Sequence, residues 1–227
     1  MNIFENLNKF YNNRNSENWN FANHYIPEHF ESKFIIHWDY GIIEDFPFDN
    51  YPLQNESLDD INKRVKIEQE FNVLLKDKAE KLYKPISIKD LANRFNVHFS
   101  HQTTKLIPET PGTSFLDNLS LSKLKESLKN LSRNSQLNLL IYNSEDYNYH
   151  TDLKKEYINI DLEKYFEIQD MFCFDLETCL FSDNLDWCIT TAEEAPILLG
   201  CKKEIESEIK QKVNLELFKV DNEQEMY

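Results

Sequence analysis

Three glycines in 227 residues constrain this chain more tightly than any other feature. They stand at positions 41, 112 and 200. A backbone this poor in glycine has few low-cost places for positive φ, so asparagine must supply many of its turns. The glycine spacing of phosphate-binding loops is missing too. Neither G-x-G-x-x-G nor G-x-x-x-x-G-K-[ST] occurs, which excludes nucleotide enzymes of the Rossmann and P-loop types. The G-x-S-x-G elbow of esterases is also absent.

Charge is the second constraint. Forty acidic residues oppose twenty-five basic ones, for a formal net charge of −15. A field of that sign repels nucleic acid and anionic lipid and favours basic partners, although it also serves plain solubility. Hydrophobic residues make up 41% of the chain and aromatics 13%, enough for a sizeable core. The opening MNIFENLNKF has an acid and no cationic region before an apolar run, so no secretory leader is expected. No apolar run approaches the roughly 20 residues of a membrane span. The expectation is a cytoplasmic protein with no membrane contact, whose Cys173, Cys179, Cys188 and Cys201 are reduced and mostly buried.

Periodicity predicts an α+β fold, with an α-rich N-terminal lobe and a C-terminal antiparallel sheet with flanking helices. Ile3, Phe4, Leu7, Phe10 and Tyr11 mark a first helix. Phe34 to Trp38 reads as a strand broken at Gly41. Ile61, Val65, Phe71, Leu75, Ala79 and Leu82 suggest the apolar stripe of a long helix stopped by Pro85. Ser87 reads as an N-cap with Asp90 three residues on. Leu121, Leu124, Leu128 and Leu131 mark a further helix, and Leu137 to Tyr142 a buried strand. Phe172, Phe174, Leu176 and Leu180 alternate as in a half-buried strand. Trp187 to Thr191 is another strand, Leu198-Leu199 a short third one ended by Gly200, and 202–213 a polar helix. Ile107 to Thr113, the only Pro/Gly cluster, is the best boundary between lobes at 1–107 and 114–227, unless the chain is a single domain.

Few constellations carry chemistry. His24 and His29 frame a stretch similar to zinc motifs, but the spacing is wrong and Pro27 interrupts the helix such motifs need. His98 and His101 have no Cys or acid spaced beside them, and there is no C-x-x-C. No metal and no cofactor are expected. Cys188 sits near Asp186, Glu193 and Glu194, and acids disfavour a thiolate. No catalytic residue can be named. Ser87 to Val97, followed by Ser100 to Ile107, has the spacing of a helix-turn-helix, but only Lys89, Arg94 and Lys105 could meet phosphate.

The C-terminal stretch adds one resemblance. Phe174-Asp175, Trp187-Cys188-Ile189 and Leu198-Leu199-Gly200 lie in a strand, turn, strand, turn and charged-helix order. This resembles the C-terminal hairpin-plus-helix of several families of bacterial toxin-immunity proteins, from polymorphic-toxin and contact-dependent inhibition systems. It covers under a quarter of the chain, and Ala195-Pro196 stands where those families carry more glycine. The resemblance implies a non-enzymatic bacterial immunity protein that neutralises a cognate, basic toxin domain by protein binding. Its implied contacts are the acids of the turns: Glu145, Asp146, Asp183, Asp186, Glu193 and Glu194. An uncharacterised hydrolase and a DNA-associated regulator using 87–107 stay open as alternatives, as does the oligomeric state.

Overall fold

The computed structural model describes residues 3–13, 21–52, 57–75, 82–100, 102–107, 110–142, 153–192 and 195–220. Among them are eight helices, a seven-stranded antiparallel sheet and a separate three-stranded sheet, so the fold is mixed α+β. The chain divides into two compact units, 1–37 with 122–227, and 38–121. The second is an insertion in the first. The Ile107 to Thr113 cluster therefore lies inside the inserted unit rather than between lobes split at 107 and 114.

In the discontinuous unit, α1 (Ile3–Asn12), α2 (Phe21–Tyr25) and β1 (Ser32–His37) come before the insertion. The return is made within α6 (Asp117–Leu131). Then follow β5 (Leu137–Ile141), β6 (Glu156–Tyr157), α7 (Leu162–Met171), β7 (Thr178–Ser182) and β8 (Trp187–Thr191). The chain finishes with β9 (Leu198–Cys201), α8 (Glu206–Lys212) and β10 (Glu216–Lys219). The strand order is β10-β1-β9-β8-β7-β5-β6. Register puts Ile35, Leu198, Thr190, Cys179 and Leu140 in one row across the sheet. Phe34, Leu199, Ile189, Leu180 and Leu139 form the next row, on the opposite face.

Both faces are covered, which is why β5, β7, β8 and β9 are buried at every position, polar Asn138, Thr178, Ser182, Thr190 and Thr191 included. On the first face, Phe4, Leu7 and Tyr11 of α1 and Ala22 of α2 pack with Ile26 and Phe30 against Ile35, Cys179 and Phe181. A ten-residue helix is marginal by itself. Burial of three large side chains, each worth about 1.5–3 kcal/mol, holds α1 in place. Helices α6, α7 and α8 lie on the second face. Gln169 of α7 donates to Thr178 Oγ1 at 2.8 Å and Thr191 Oγ1 at 3.1 Å. Ser32 donates to Glu206 of α8 at 2.7 Å, and Ser127 of α6 accepts the Asn214 N–H at 2.9 Å.

The inserted unit contains β2 (Tyr40–Ile42), α3 (Leu58–Leu75), β3 (Lys84–Ile86), α4 (Ile88–Arg94), α5 (Thr103–Leu106) and β4 (Thr113–Phe115). Its sheet runs β3-β2-β4. Tyr40, Ile88, Leu91 and Ile107 form one apolar cluster, and Ile43, Phe46 and Tyr51 another. Ser87 caps α4 as expected, its hydroxyl accepting the Asp90 N–H at 3.0 Å.

Several expectations need correction. Of the stripe expected for α3, Phe71 does pack on the core, but its companion there is Ile67, while Ile61 and Val65 are 41% and 44% exposed. Leu75's side chain and Ala79 lie outside the described residues. Pro85 stands in β3, a strand at the edge of its sheet, where a missing N–H costs no ladder bond. Gly41 and Gly200 do not end strands but sit inside β2 and β9. The alternation from Phe172 to Leu180 is not one strand: α7 runs to Met171, and a turn with Cys173 at φ 51° and Phe174 at φ 66° precedes β7.

Candidate functional site

The β7–β8 turn carries two of the predicted contact acids. The Ser182 hydroxyl organises it, accepting N–H bonds from Asp186 at 3.0 Å and Trp187 at 3.3 Å. Leu185 takes positive φ at the tip. Asp183 is exposed. Asp186 is half-buried and bonded to the Lys202 ammonium at 2.7 Å, and Lys202 also reaches the Asn184 carbonyl at 3.3 Å. Its charge therefore helps tie the turn to the chain beyond β9. The other four predicted contacts, Glu145, Asp146, Glu193 and Glu194, lie outside the described residues.

Two of the buried thiols, Cys188 and Cys201, are held in the protonated form for a physical reason. All four cysteines are free, with Cys179, Cys188 and Cys201 buried and Cys173 exposed. Burial, then the neighbouring Cys179, pushes the Cys188 thiol well up. Burial and the nearby Glu206 carboxylate push Cys201 up to about 11. Among the described residues no group of three or more His, Cys, Asp or Glu could hold a metal ion. The segment at 87–107 has a well-formed α4, but its second helix, α5, is a single turn of four residues. A recognition helix needs several residues reaching base edges along a groove, and one turn does not present them.

A different surface has the more distinctive geometry. Along α7, Glu163, Glu167 and Asp170 are spaced i, i+4 and i+7 and share one exposed stripe. Asp161, the N-cap of α7, accepts the Lys164 N–H at 2.6 Å. Across from this stripe, Lys125 and Lys129 project from α6 at i and i+4. Between the two helices lies an open groove of about 470 Å³, floored by Leu162 and Phe166. Lys125 lies over the Phe166 ring at 5.1 Å rather than on a carboxylate. Glu167 pairs along its own helix with Lys164 at 3.0 Å. Met171, at the end of α7, is 53% exposed.

Sequence reading did not single out these acids because it did not close α7 as a helix. The usual signal is a glycine at C′, and here Cys173 occupies that position. The N–H of Phe174 reaches the Gln169 carbonyl at 3.0 Å, the long bond of a Schellman ending. Aspartate at the N-cap and the Glu163, Glu167, Asp170 spacing were the signals available.

One cluster on the same unit is structural. Glu206, 13% exposed, receives Lys210 at 2.7 Å, Lys219 at 2.9 Å, Lys203 at 3.0 Å and the Ser32 hydroxyl at 2.7 Å. Lys210, Ser32 and Lys219 are the largest causes that hold its carboxyl well below the usual value of 4.5. A depressed folded value means the stabilisation is complete above the unfolded value and is lost as pH falls below it. Glu206→Gln is expected to lower stability by about 1–2 kcal/mol at neutral pH. Thermal melts should show the gap between wild type and variant narrowing steadily below about pH 4.5. A gap that stays constant down to pH 3 would refute this assignment.

No helix among the described residues is long and apolar enough to cross a membrane. Comparison with protein-family models, curated proteins and solved structures finds no match to this chain.

Proposed function

We propose that the protein is a non-enzymatic binder that neutralises a basic partner domain, as an immunity protein acts on a bacterial toxin. One observation carries this reading. From 161 to 177, Asp161, Glu163, Glu167, Asp170 and Asp175 are all exposed, and Lys164 is the single cation in that span. Within a net charge of −15, such a surface raises the association rate of an electropositive partner and suppresses anionic ones. Buried thiols with raised pKa values fit a scaffold better than a nucleophilic enzyme.

The test is genetic and biophysical. The reading expects the gene to lie directly beside one for a large toxin, whose C-terminal domain binds this protein at nanomolar strength. The association rate should fall steeply as salt rises, because screening shortens the reach of the steering field to roughly 10 Å at 0.1 M. Cells expressing the toxin domain should survive only when the protein is co-expressed. A neighbouring domain that neither binds nor is neutralised would sink the proposal.

A further inference from the structure

We propose that the groove between α6 and α7 is where the partner docks, and that its occupant is an amphipathic helix with one basic flank. This deepens the reading of the protein as a binder of a basic domain and rests on it.

Three features of the groove select that occupant. The first is its charge pattern. The α7 wall presents Glu163, Glu167 and Asp170 at i, i+4 and i+7. Lysines or arginines repeating at the same helical spacing on a partner helix would meet all three, whereas an irregular basic loop would not. The second is the floor. Leu162 and Phe166 are one turn apart; Leu162 is half-buried and Phe166 buried beneath Lys125, so an apolar ridge of the incoming helix would rest on Leu162 and on the edge of Phe166 once Lys125 swings aside, as in other helix-in-groove recognition. The third is the far wall. Lys125 and Lys129 would repel a uniformly basic segment, so the occupant carries acidic or neutral residues on its second flank. The two walls hold opposite charges, yet no ion pair crosses between them among the described residues, and Lys125 rests on the Phe166 ring instead. Glu163 and Asp170 on one wall and Lys129 on the other are thus left available to a third helix, while Glu167 already holds Lys164. A volume of about 470 Å³ open along its length suits the side chains of such a helix, whereas a small ligand is normally enclosed over most of its surface.

The probe is a synthetic amphipathic helix of roughly twenty residues, long enough to hold helical structure. It has lysines on one flank, leucines on the ridge and glutamates on the other flank. Titrated into the full chain at low salt, it should shift amide resonances of α6 and α7 and leave those of the 183–186 turn in place. Glu163→Lys with Asp170→Lys should weaken it at least tenfold. Both residues are exposed and neither makes an ion pair among the described residues, so the circular dichroism spectrum should be unchanged. Asp183→Lys should change affinity less than twofold. Absence of binding at low salt, shifts centred elsewhere, or equal binding by the double variant would each overturn the proposal. So would a dimer of this chain that dissociates on the same reversal, because a second copy would then be the occupant. The outcome for the function is separate. If the neighbouring toxin domain fails to bind wild type while the helix docks, the immunity reading falls and the groove stands. If that domain binds the double variant as well as wild type, the groove falls and the immunity reading stands.

Discussion

Truncating Phe181 to alanine is expected to destabilise the discontinuous unit by about 3–5 kcal/mol, the range for removing a phenyl ring from a close-packed core. The residue is fully buried in β7, on the face that α1 covers. Phe4 of α1 meets its ring edge-on, with centroids 5.5 Å apart and planes at 67°. Loss of the ring removes the surface on which the first turn of α1 rests. The second end of the helix has its own anchor: Tyr11 stacks on Tyr142 at 4.0 Å, and its hydroxyl donates to the Tyr25 carbonyl at 3.1 Å. The expected result is therefore graded. Amide exchange should rise more in the first turn of α1 than near Tyr11, and a chemical unfolding curve should move to lower denaturant. Against a total stability of ~5–15 kcal/mol for a typical domain, the shift is large. A loss below about 1 kcal/mol, with α1 as protected as in wild type, would show that α1 is not held by this contact.

Elements were legible in the sequence where one periodicity acted alone. Phe4, Leu7 and Tyr11 lie on one helical face, and Leu137 to Ile141 form a continuous apolar run, so α1 and β5 stand where the pattern puts them. The pattern misled where tertiary structure chose between two apolar sets. In α3 the stripe named Phe71 rightly but offered Ile61 and Val65 with it, and only packing against Phe46 and Tyr51 selects Ile67 as its companion. Helix endings were the harder case. Asn96 at φ 52° closes α4 with the N–H of Val97 on the Ala92 carbonyl at 3.0 Å, and asparagine there is readable. Cys173 does the same for α7 without any residue that announces it. That unannounced ending concealed α7, and with it the acidic stripe and the groove. The acids of the turns were visible as charges, but the pairing of Asp186 with Lys202 depends on a contact sixteen residues away in sequence.

Replacing Gly200 by alanine is the sharpest test of how this chain uses its few glycines. Among the described residues Asn96, Asn159, Cys173, Phe174 and Leu185 take positive φ, and no glycine does. Freedom of φ is therefore not what glycine contributes here. At 200 the requirement is the absence of a Cβ. An added Cβ would stand 2.5 Å from Ile26 Cγ2, 2.9 Å from Phe30 Cβ and 3.1 Å from Cys188 Sγ. Gly200 lies in β9, bonded between β1 and β8, so neither neighbouring strand can move without disturbing its other ladder. Ile26 and Phe30 are both fully buried, so either can give way only by displacing other core side chains. Overpacking of this kind costs about 1–3 kcal/mol and more when backbone must shift, so a loss of at least 2 kcal/mol is expected. The mechanism predicts its own partial reversal. Ile26→Ala removes the methyl at the shortest contact and by itself should cost ~2–5 kcal/mol. Combined with Gly200→Ala, the two losses should sum to less than their separate values by at least about 1 kcal/mol, the size of coupling seen between residues in contact. Strict additivity in that double-mutant cycle would show that the close approach of Ile26 to β9 is not why glycine stands at 200.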